Sequence, residues 1–336
     1  MSEPGTTRAP ASAGRLLVIA GLFALLTAAV AGACSLAGQA DLSFTIWKLR
    51  IFRLTNAAVV GAALATGGMA LQALLRNPLA EPYILGISSG AGVGVLIGLA
   101  AGGCLGLASW ATTPILALVG AVLTCTIVYT IAQRRGRLDP YALLLSGVIV
   151  NAFNGAVMLT IFMLVPPRVI TSYAGWAMGR LTDSVAISAG WLMGVCVLAV
   201  AAGWLAMLLR AAAFNALGLG DDVAATVGVS VHWLRVETFL VVSLMTAAAV
   251  ALAGPIGFLG LIVPHIARLV VGPDHRRLAV VCGFGGAIFL MAADTLCRTA
   301  GDLIRIGEMP VGIVTALCGG PFFIFLLRRK FREAPA

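Results

Sequence analysis

Charged residues cut this chain into long apolar runs. Stretches free of Asp, Glu, Lys and Arg cover 16–40, 54–75, 82–133, 140–167, 184–209, 238–267, 278–293 and 309–327. A helix that crosses a bilayer needs about 20 mainly apolar residues, so most of these runs predict one crossing each. The run 82–133 holds 52 residues and predicts two. Its fold-back is expected between Gly102-Gly103 and Ala111-Thr112-Thr113-Pro114, where small and turn-forming residues gather. The run 238–267 holds 30 residues, too long for one crossing and short for two.

Basic residues decide that case, because Lys and Arg concentrate on the cytoplasmic side. With the N-terminus inside, Arg76, the cluster Arg134-Arg135-Gly136-Arg137 and the segment Arg210 to Arg235 all fall inside. Two crossings within 236–272, turning at Gly254-Pro255, place His275-Arg276-Arg277 and the start of the C-terminal tail inside as well. The inside then holds 15 of the 22 Lys and Arg residues. The outside holds seven: Lys48, Arg50, Arg53, Arg168, Arg180, Arg298 and Arg305. The expectation is an all-α membrane protein of ten transmembrane helices with both termini cytoplasmic. Residues 1–14 and 331–336 are tails, 15–330 form a single membrane domain, and 211–235 are its longest cytoplasmic connection. Ala31-Gly32-Ala33-Cys34 faintly resembles a processing site, but the run before it is long for a signal sequence. The first span is therefore kept.

Composition agrees. The chain is 60% hydrophobic and 10% charged, against about 25% charged in soluble domains. The net charge of +9 sits at the ends of apolar runs, the pattern of topology signals and not of a nucleic-acid stripe. The seven cysteines contain no CxxC pair and read as small packing residues.

Two segments interrupt the apolar pattern. The first is Arg76-Asn77-Pro78-Leu-Ala-Glu81-Pro82, followed by glycines at 86, 90, 92 and 94. Its prolines lack N–H donors and force a turn between Asn77 and Glu81. The second is Gly254-Pro255-Ile-Gly-Phe-Leu-Gly-Leu-Ile-Val-Pro264-His265. Broken helices are tolerated in a membrane only where protein or a wet cavity surrounds them. Gly68 precedes Pro78 by ten residues and Gly254 precedes Pro264 by ten, an echo that suggests two weakly related halves. His265 reads as a hydrogen-bonded packing residue ahead of a proton relay. Asp294 stands four residues before Arg298, so the two can pair on one helical face.

Gly147, Asn151, Asn154 and Met158 follow i, i+4, i+7, i+11 spacing and share one face of the fifth span. That face is either a helix–helix hydrogen-bonding seam or the wall of a pathway. In 211–235, Asp221 is a good N-cap and Gly228 a good helix stop, predicting a short helix off the membrane.

These motifs resemble the FecCD-type permeases, the membrane subunits of ABC importers for iron–siderophore complexes, haem and vitamin B12. The resemblance runs from about residue 48 to 330 and rests on four stretches. They are Arg76 to Ala91, Gly254 to Arg268, Glu308 to Thr315 with Gly320-Pro-Phe-Phe323, and the 217–228 segment. It implies the type II importer permease fold, working as a homodimer in a bacterial inner membrane. It also implies two ATPase subunits on the cytoplasmic face, a periplasmic or lipid-anchored substrate-binding protein outside, and no nucleic-acid partner.

By that resemblance Gly147, Asn151, Asn154 and Met158 line the pathway, and Asp139, Pro140 and Tyr141 form a cytoplasmic gate. Gly218, Asp221, Asp222, Ala225 and Gly228 seat in the ATPase, while Arg50, Arg53 and Arg298 meet acidic residues of the binding protein. Arg76, Asn77, Pro78, Glu81, Pro82, Gly254, Pro255, Pro264 and His265 shape the turns. The family pattern has a proline where this chain has Phe52.

A phosphate-binding loop needs Gly-Lys-Ser/Thr, and the only lysines, Lys48 and Lys330, do not follow glycine. The expectation is a transport subunit without enzyme activity or cofactor, with ATP and Mg on the partner ATPase. The alternative is an ion-coupled secondary transporter, which normally places ionisable groups at mid-membrane. Gly86-Ile-Ser88-Ser-Gly90 matches a hydrolase pattern, but it opens a membrane span and lacks the strand–turn–helix setting.

Overall fold

A computed structural model describes residues 13–37, 44–105, 109–134, 136–181, 190–305 and 307–333. Most of the expected N-terminal tail, Arg135 and the last three residues lie outside that set. The described residues form thirteen α-helices. They are α1 (Ala13–Leu36), α2 (Phe44–Leu74), α3 (Ile87–Leu105), α4 (Ser109–Ala132), α5 (Pro140–Leu164), α6 (Pro167–Ala177) and α7 (Gly190–Leu209). Then follow α8 (Ala211–Leu219), α9 (Asp221–Thr226), α10 (Val231–Ala253), α11 (Leu259–Val271), α12 (His275–Ile304) and α13 (Val311–Glu333). A single 3-10 turn, Pro82–Leu85, precedes α3. A two-residue antiparallel pair, Gln133–Arg134 with Arg137–Leu138, turns through Gly136 between α4 and α5.

Among the described residues, seven helices are long and apolar enough to cross a membrane, namely α1, α2, α4, α5, α7, α10 and α12. Three further apolar stretches are shorter: Ile87–Gly102, Leu259–Val271 and Val311–Ile324. In the 82–133 run α3 ends at Leu105 and α4 begins at Ser109, with Pro114 inside α4; residues 106–108 of the expected fold-back lie outside the described residues. The 238–267 run breaks at Gly254-Pro255, as expected.

At about 1.5 Å per residue, the 13 residues of α11 reach about 20 Å, short of a hydrocarbon core of about 30 Å. The 254–258 break therefore lies within the depth of the bundle, where its backbone groups need protein partners. Helix α2 runs unbroken through Phe52 for 31 residues.

The core forms where α2, α10 and α12 meet, with Met69, Leu71, Phe239, Val242, Met245, Leu290 and Met291 buried. Glycines let the backbones touch. A side-chain carbon on Gly61 would collide with the Gly286 carbonyl of α12, and one on Gly68 with the Gly260 carbonyl of α11. Small residues at such crossings are what lets membrane helices gain dispersion contacts. Cys34, Cys125, Cys196, Cys282 and Cys297 are buried and unbridged, as packing residues would be.

The ten-residue echo does not carry into geometry. Gly68 lies inside α2 and Pro78 in a turn, whereas Gly254 ends α10 with φ +68° and Pro264 lies inside α11. The two interrupted segments instead meet each other.

Candidate functional site

The first interruption is built by local hydrogen bonds. Leu75 and Asn77 donate to Leu71 and Gln72 carbonyls, Arg76 takes φ +46°, and Asn77 Oδ1 accepts from the Leu79 amide at 3.0 Å. Pro82 starts the 3-10 turn, and Gly86 ends it with φ +81°.

The second interruption faces it. Glu81 Oε1 accepts the Phe258 amide at 2.6 Å, and the Tyr83 hydroxyl accepts the Ile256 amide at 3.0 Å. The Phe258 amide is that of the α11 N-cap, which has no partner within the helix, and the Ile256 amide lies in the loop before it, outside any helical ladder. The freed carbonyl of Ala253 accepts the Arg180 amide at 2.8 Å. Within α11, Pro264 offers no N–H to the carbonyl four residues back, that of Gly260. Gln72 Nε2 of α2 donates to this oxygen at 3.0 Å, and Arg268 Nη1 holds Gln72 Oε1 at 2.6 Å. His265 stacks edge-on against Phe322, as a packing residue would.

The stripe on α5 is one face, and the structure turns it toward the first interruption. A carbon on Gly147 would collide with the Ile84 carbonyl. Asn151 Nδ2 approaches the Tyr83 carbonyl at 3.5 Å, and Asn154 Nδ2 donates to Ser89 Oγ at 3.0 Å and Thr124 Oγ1 at 3.3 Å. Met158 Sδ accepts from the Tyr173 hydroxyl at 3.0 Å. Gly147 and Asn154 are buried, on the seam side of the two readings of this face: Gly147 by close backbone approach to Ile84, Asn154 by its hydrogen bonds. Asn151 and Met158 are half-buried. The exposed face of α5 carries Tyr141, Leu145, Val148, Ala152, Leu159 and Met163.

At the foot of α5, Asp139 caps the helix through the Ala142 amide at 2.9 Å, Pro140 takes the first helical position, and Tyr141 is 84% exposed.

The 211–235 segment folds as two short helices, α8 and α9, followed by the first turn of α10. Gly220, with φ +135°, takes the N-cap of α9, and Asp221 becomes its first helical residue, a correction of one position. The Asp221 carboxylate is thereby free to bridge two arginines. One is Arg76 of the first interruption, and the other is Arg235 of α10 at 2.7 Å. Arg76 Nε also donates to the Leu217 carbonyl at the end of α8, at 3.1 Å.

Gly228, with φ +83°, stops α9 as expected. Its amide bonds Ala225 and the Val229 amide bonds Ala224, the paired pattern of a helix end in αL. Asp222 and Ala225 lie on α9, and Gly218 on α8 has open space around it. Leu219, Val223 and Val227 are exposed around them. A cavity of about 300 Å³ opens beside Gly228, between the Arg210–Glu237 pair and Trp233. On the other side, Asn215 ties α8 to the α11–α12 turn through Asp274 and the His275 amide.

At the opposite end, Arg53 is 7% exposed. It grips Asp294 through Nε and Nη2 at 2.9 Å and Glu308 through Nη1 at 2.9 Å. Burial removes Arg53 from the expected docking surface. Arg298 stands 3.5 Å from Asp294, so the expected pair forms, though as the longer of two. Arg50 is half-buried and donates to the Ser35 carbonyl at 2.9 Å. Sequence reasoning missed Gln72, Tyr83, Arg235, Glu308 and all of α6. Gln72 carried a signal, since an amide inside an apolar run needs a partner.

A helical membrane bundle with paired interruptions and a small helical hook at one end has the form of a transport permease. The chain belongs to the FecCD transport family, whose pattern matches residues 15–329. It is 36% identical over 340 residues to the hemin transport system permease HmuU of Yersinia pestis, covering 94% of this chain and 95% of that one. It is 41% identical over 286 residues to the cobalamin import system permease BtuC of Halobacterium salinarum, covering 85% and 73%. Its fold matches an inward-facing conformation of a metal-chelate type ABC transporter, with TM-score 0.80, 26% identity and 93% and 99% coverage. The chain is thus a permease subunit of an ABC importer and not an enzyme; ATP is hydrolysed on a separate subunit.

Proposed function

We propose that two copies of this chain enclose a path for an iron–siderophore complex, haem or cobalamin across a bacterial inner membrane. Each copy passes the membrane ten times, the three shorter apolar helices included, with both termini cytoplasmic. Two ATPase subunits bind the end carrying α8 and α9, through Asp222, Ala225 and the exposed Leu219, Val223 and Val227. A binding protein, periplasmic or lipid-anchored, docks at the other end near Arg50 and Arg298. The exposed α5 face lines the path, with Tyr141 at its cytoplasmic gate.

One observation carries this reading: Asp221 ties the hook helix to both α10 and the first interruption. A decorative loop helix has no need of two ion-pair anchors to separate elements, whereas a lever does. The haem and cobalamin names of the relatives support the substrate class.

The test is reconstitution in proteoliposomes with the ATPase and the binding protein. Uptake of hemin, cyanocobalamin or a ferric hydroxamate siderophore should require ATP. Uptake driven by a pH gradient without the ATPase would refute it.

A further inference from the structure

We propose that the segment 75–86 is the transmission element of this importer. It moves as one body with the second interruption and is driven by α9 through Arg76. This rests on the importer reading above and assigns positioning roles to Arg76 and Glu81.

Gly220, with φ +135°, separates α8 from α9 and gives the hook a swivel. Arg76 spans that swivel, with Nε on the Leu217 carbonyl and Nη2 on Asp221. Residue 76 is therefore joined to α9 by a charge-assisted contact and to α8 by a carbonyl contact, so it sits where a displacement of α9 enters the bundle.

Residues 77–86 are too internally bonded to absorb the motion. Asn77 closes its own turn on Leu79 and Ala80, Gln72 reaches the Ala80 carbonyl, and Tyr83 closes on Gly86. Two prolines fix further dihedrals.

The segment then holds two outputs. Glu81 and Tyr83 take the Phe258 and Ile256 amides. Ile84 and Tyr83 carbonyls seat Gly147 and Asn151 of α5. Beyond Ile256, the outer end is tied in by Arg180 on Ala253 and by the Gly312 amide on the Gly179 carbonyl. The contacts run without a gap from the hook to the far end of the bundle. Coupling is carried by such packed networks when they join discrete arrangements of rigid parts.

The experiment uses the complete importer in proteoliposomes, with hemin, cyanocobalamin and a ferric hydroxamate siderophore as probes. ATP hydrolysed and probe transported are measured together. Arg76→Ala should keep hydrolysis within about twofold of wild type while transport per ATP falls by about fivefold or more, the low end of coupling between sites. Arg76→Lys, which keeps the charge, should lie between.

In a cysteine-free background, Glu81→Cys with Phe258→Cys is bridged by oxidation. A one-body segment tolerates the bridge, so transport per ATP should match that of the same double variant kept reduced. An unchanged ratio in Arg76→Ala, or transport abolished by the 81–258 bridge alone, would overturn the proposal. If Arg76→Ala fails to assemble, the bridge decides alone. If wild type carries none of the probes with ATP, the importer reading itself fails, and the wild-type arm shows this separately.

Discussion

Removing Asp294 tests whether Arg53 is a structural strut. Asp294 is 1% exposed and accepts from Nε and Nη2 of an arginine that is 7% exposed. Deleting one partner of a buried pair strands the other charge, at a cost of about 3–5 kcal/mol. Here Glu308 still holds Nη1 at 2.9 Å, so the low end, about 3 kcal/mol, is expected. Arg298, 3.5 Å from the same carboxylate, loses its acidic neighbour too, which opposes any discount below that figure.

By contrast, Glu308 is 48% exposed at its side chain, and removing it should cost about 1 kcal/mol, as exposed pairs do. For a chain of this size about 2 °C of Tm accompanies each kcal/mol. Thermal unfolding of the detergent-purified chain should thus show Asp294→Ala down by about 6 °C and Glu308→Ala by about 2 °C. Equal shifts, or the reverse order, would mean that Arg53 is satisfied elsewhere and the strut is wrong.

Two further predictions separate packing from pathway. Gly68→Ala drives a carbon into the Gly260 carbonyl between two main chains that have no flexible side chain to yield. The expected loss is about 3 kcal/mol, the upper end for overpacking, read as lost monodisperse yield or Tm. Gly194→Ala, which has nothing within 4 Å, should be silent in the same assay. Asn154→Ala removes the ties to Ser89 and Thr124 and should lower Tm by about 2 °C, on about 1 kcal/mol for a membrane hydrogen bond. An unchanged Tm with altered transport would return Asn154 to the pathway wall.

What the sequence made legible was local. The breaks at Asn77 to Glu81 and at Gly254-Pro255 are chemistry of adjacent residues, since proline and glycine act on their own dihedrals. The Gly228 stop belongs to the same class. Partnerships across the chain were not legible. Arg53 reads as an outward arginine beside Arg50, and only Asp294, 241 residues on, turns it inward. Asp221 reads as a cap because nothing nearby reveals Arg76, 145 residues earlier. The α5 spacing gave the face correctly but could not say which neighbour it meets. Helix α6 hid in a stretch counted as an outer loop, although Pro167 at its first position is a common helix opening.

The pairing of α2 with α11 shows why these two interrupted motifs belong together. Gly68 and Gln72 are four apart on α2, and Gly260 and Pro264 are four apart on α11, so each pair presents one face. Proline in a membrane helix leaves a carbonyl bare, and hydrocarbon offers it no donor. Only an amide on the facing helix, brought close, can reach it. The closeness comes from Gly68, which lets α2 lie against the same Gly260 whose oxygen needs the donor. Gln72 alone would be a polar cost in an apolar run, and Pro264 alone a defect. Facing each other across two glycines, each satisfies the other's backbone or side chain, and Arg268 fixes the amide's remaining oxygen. A chain keeping Pro264 but lacking Gln72 would leave the Gly260 carbonyl buried without that donor. The two motifs are therefore physically a single requirement written in two places.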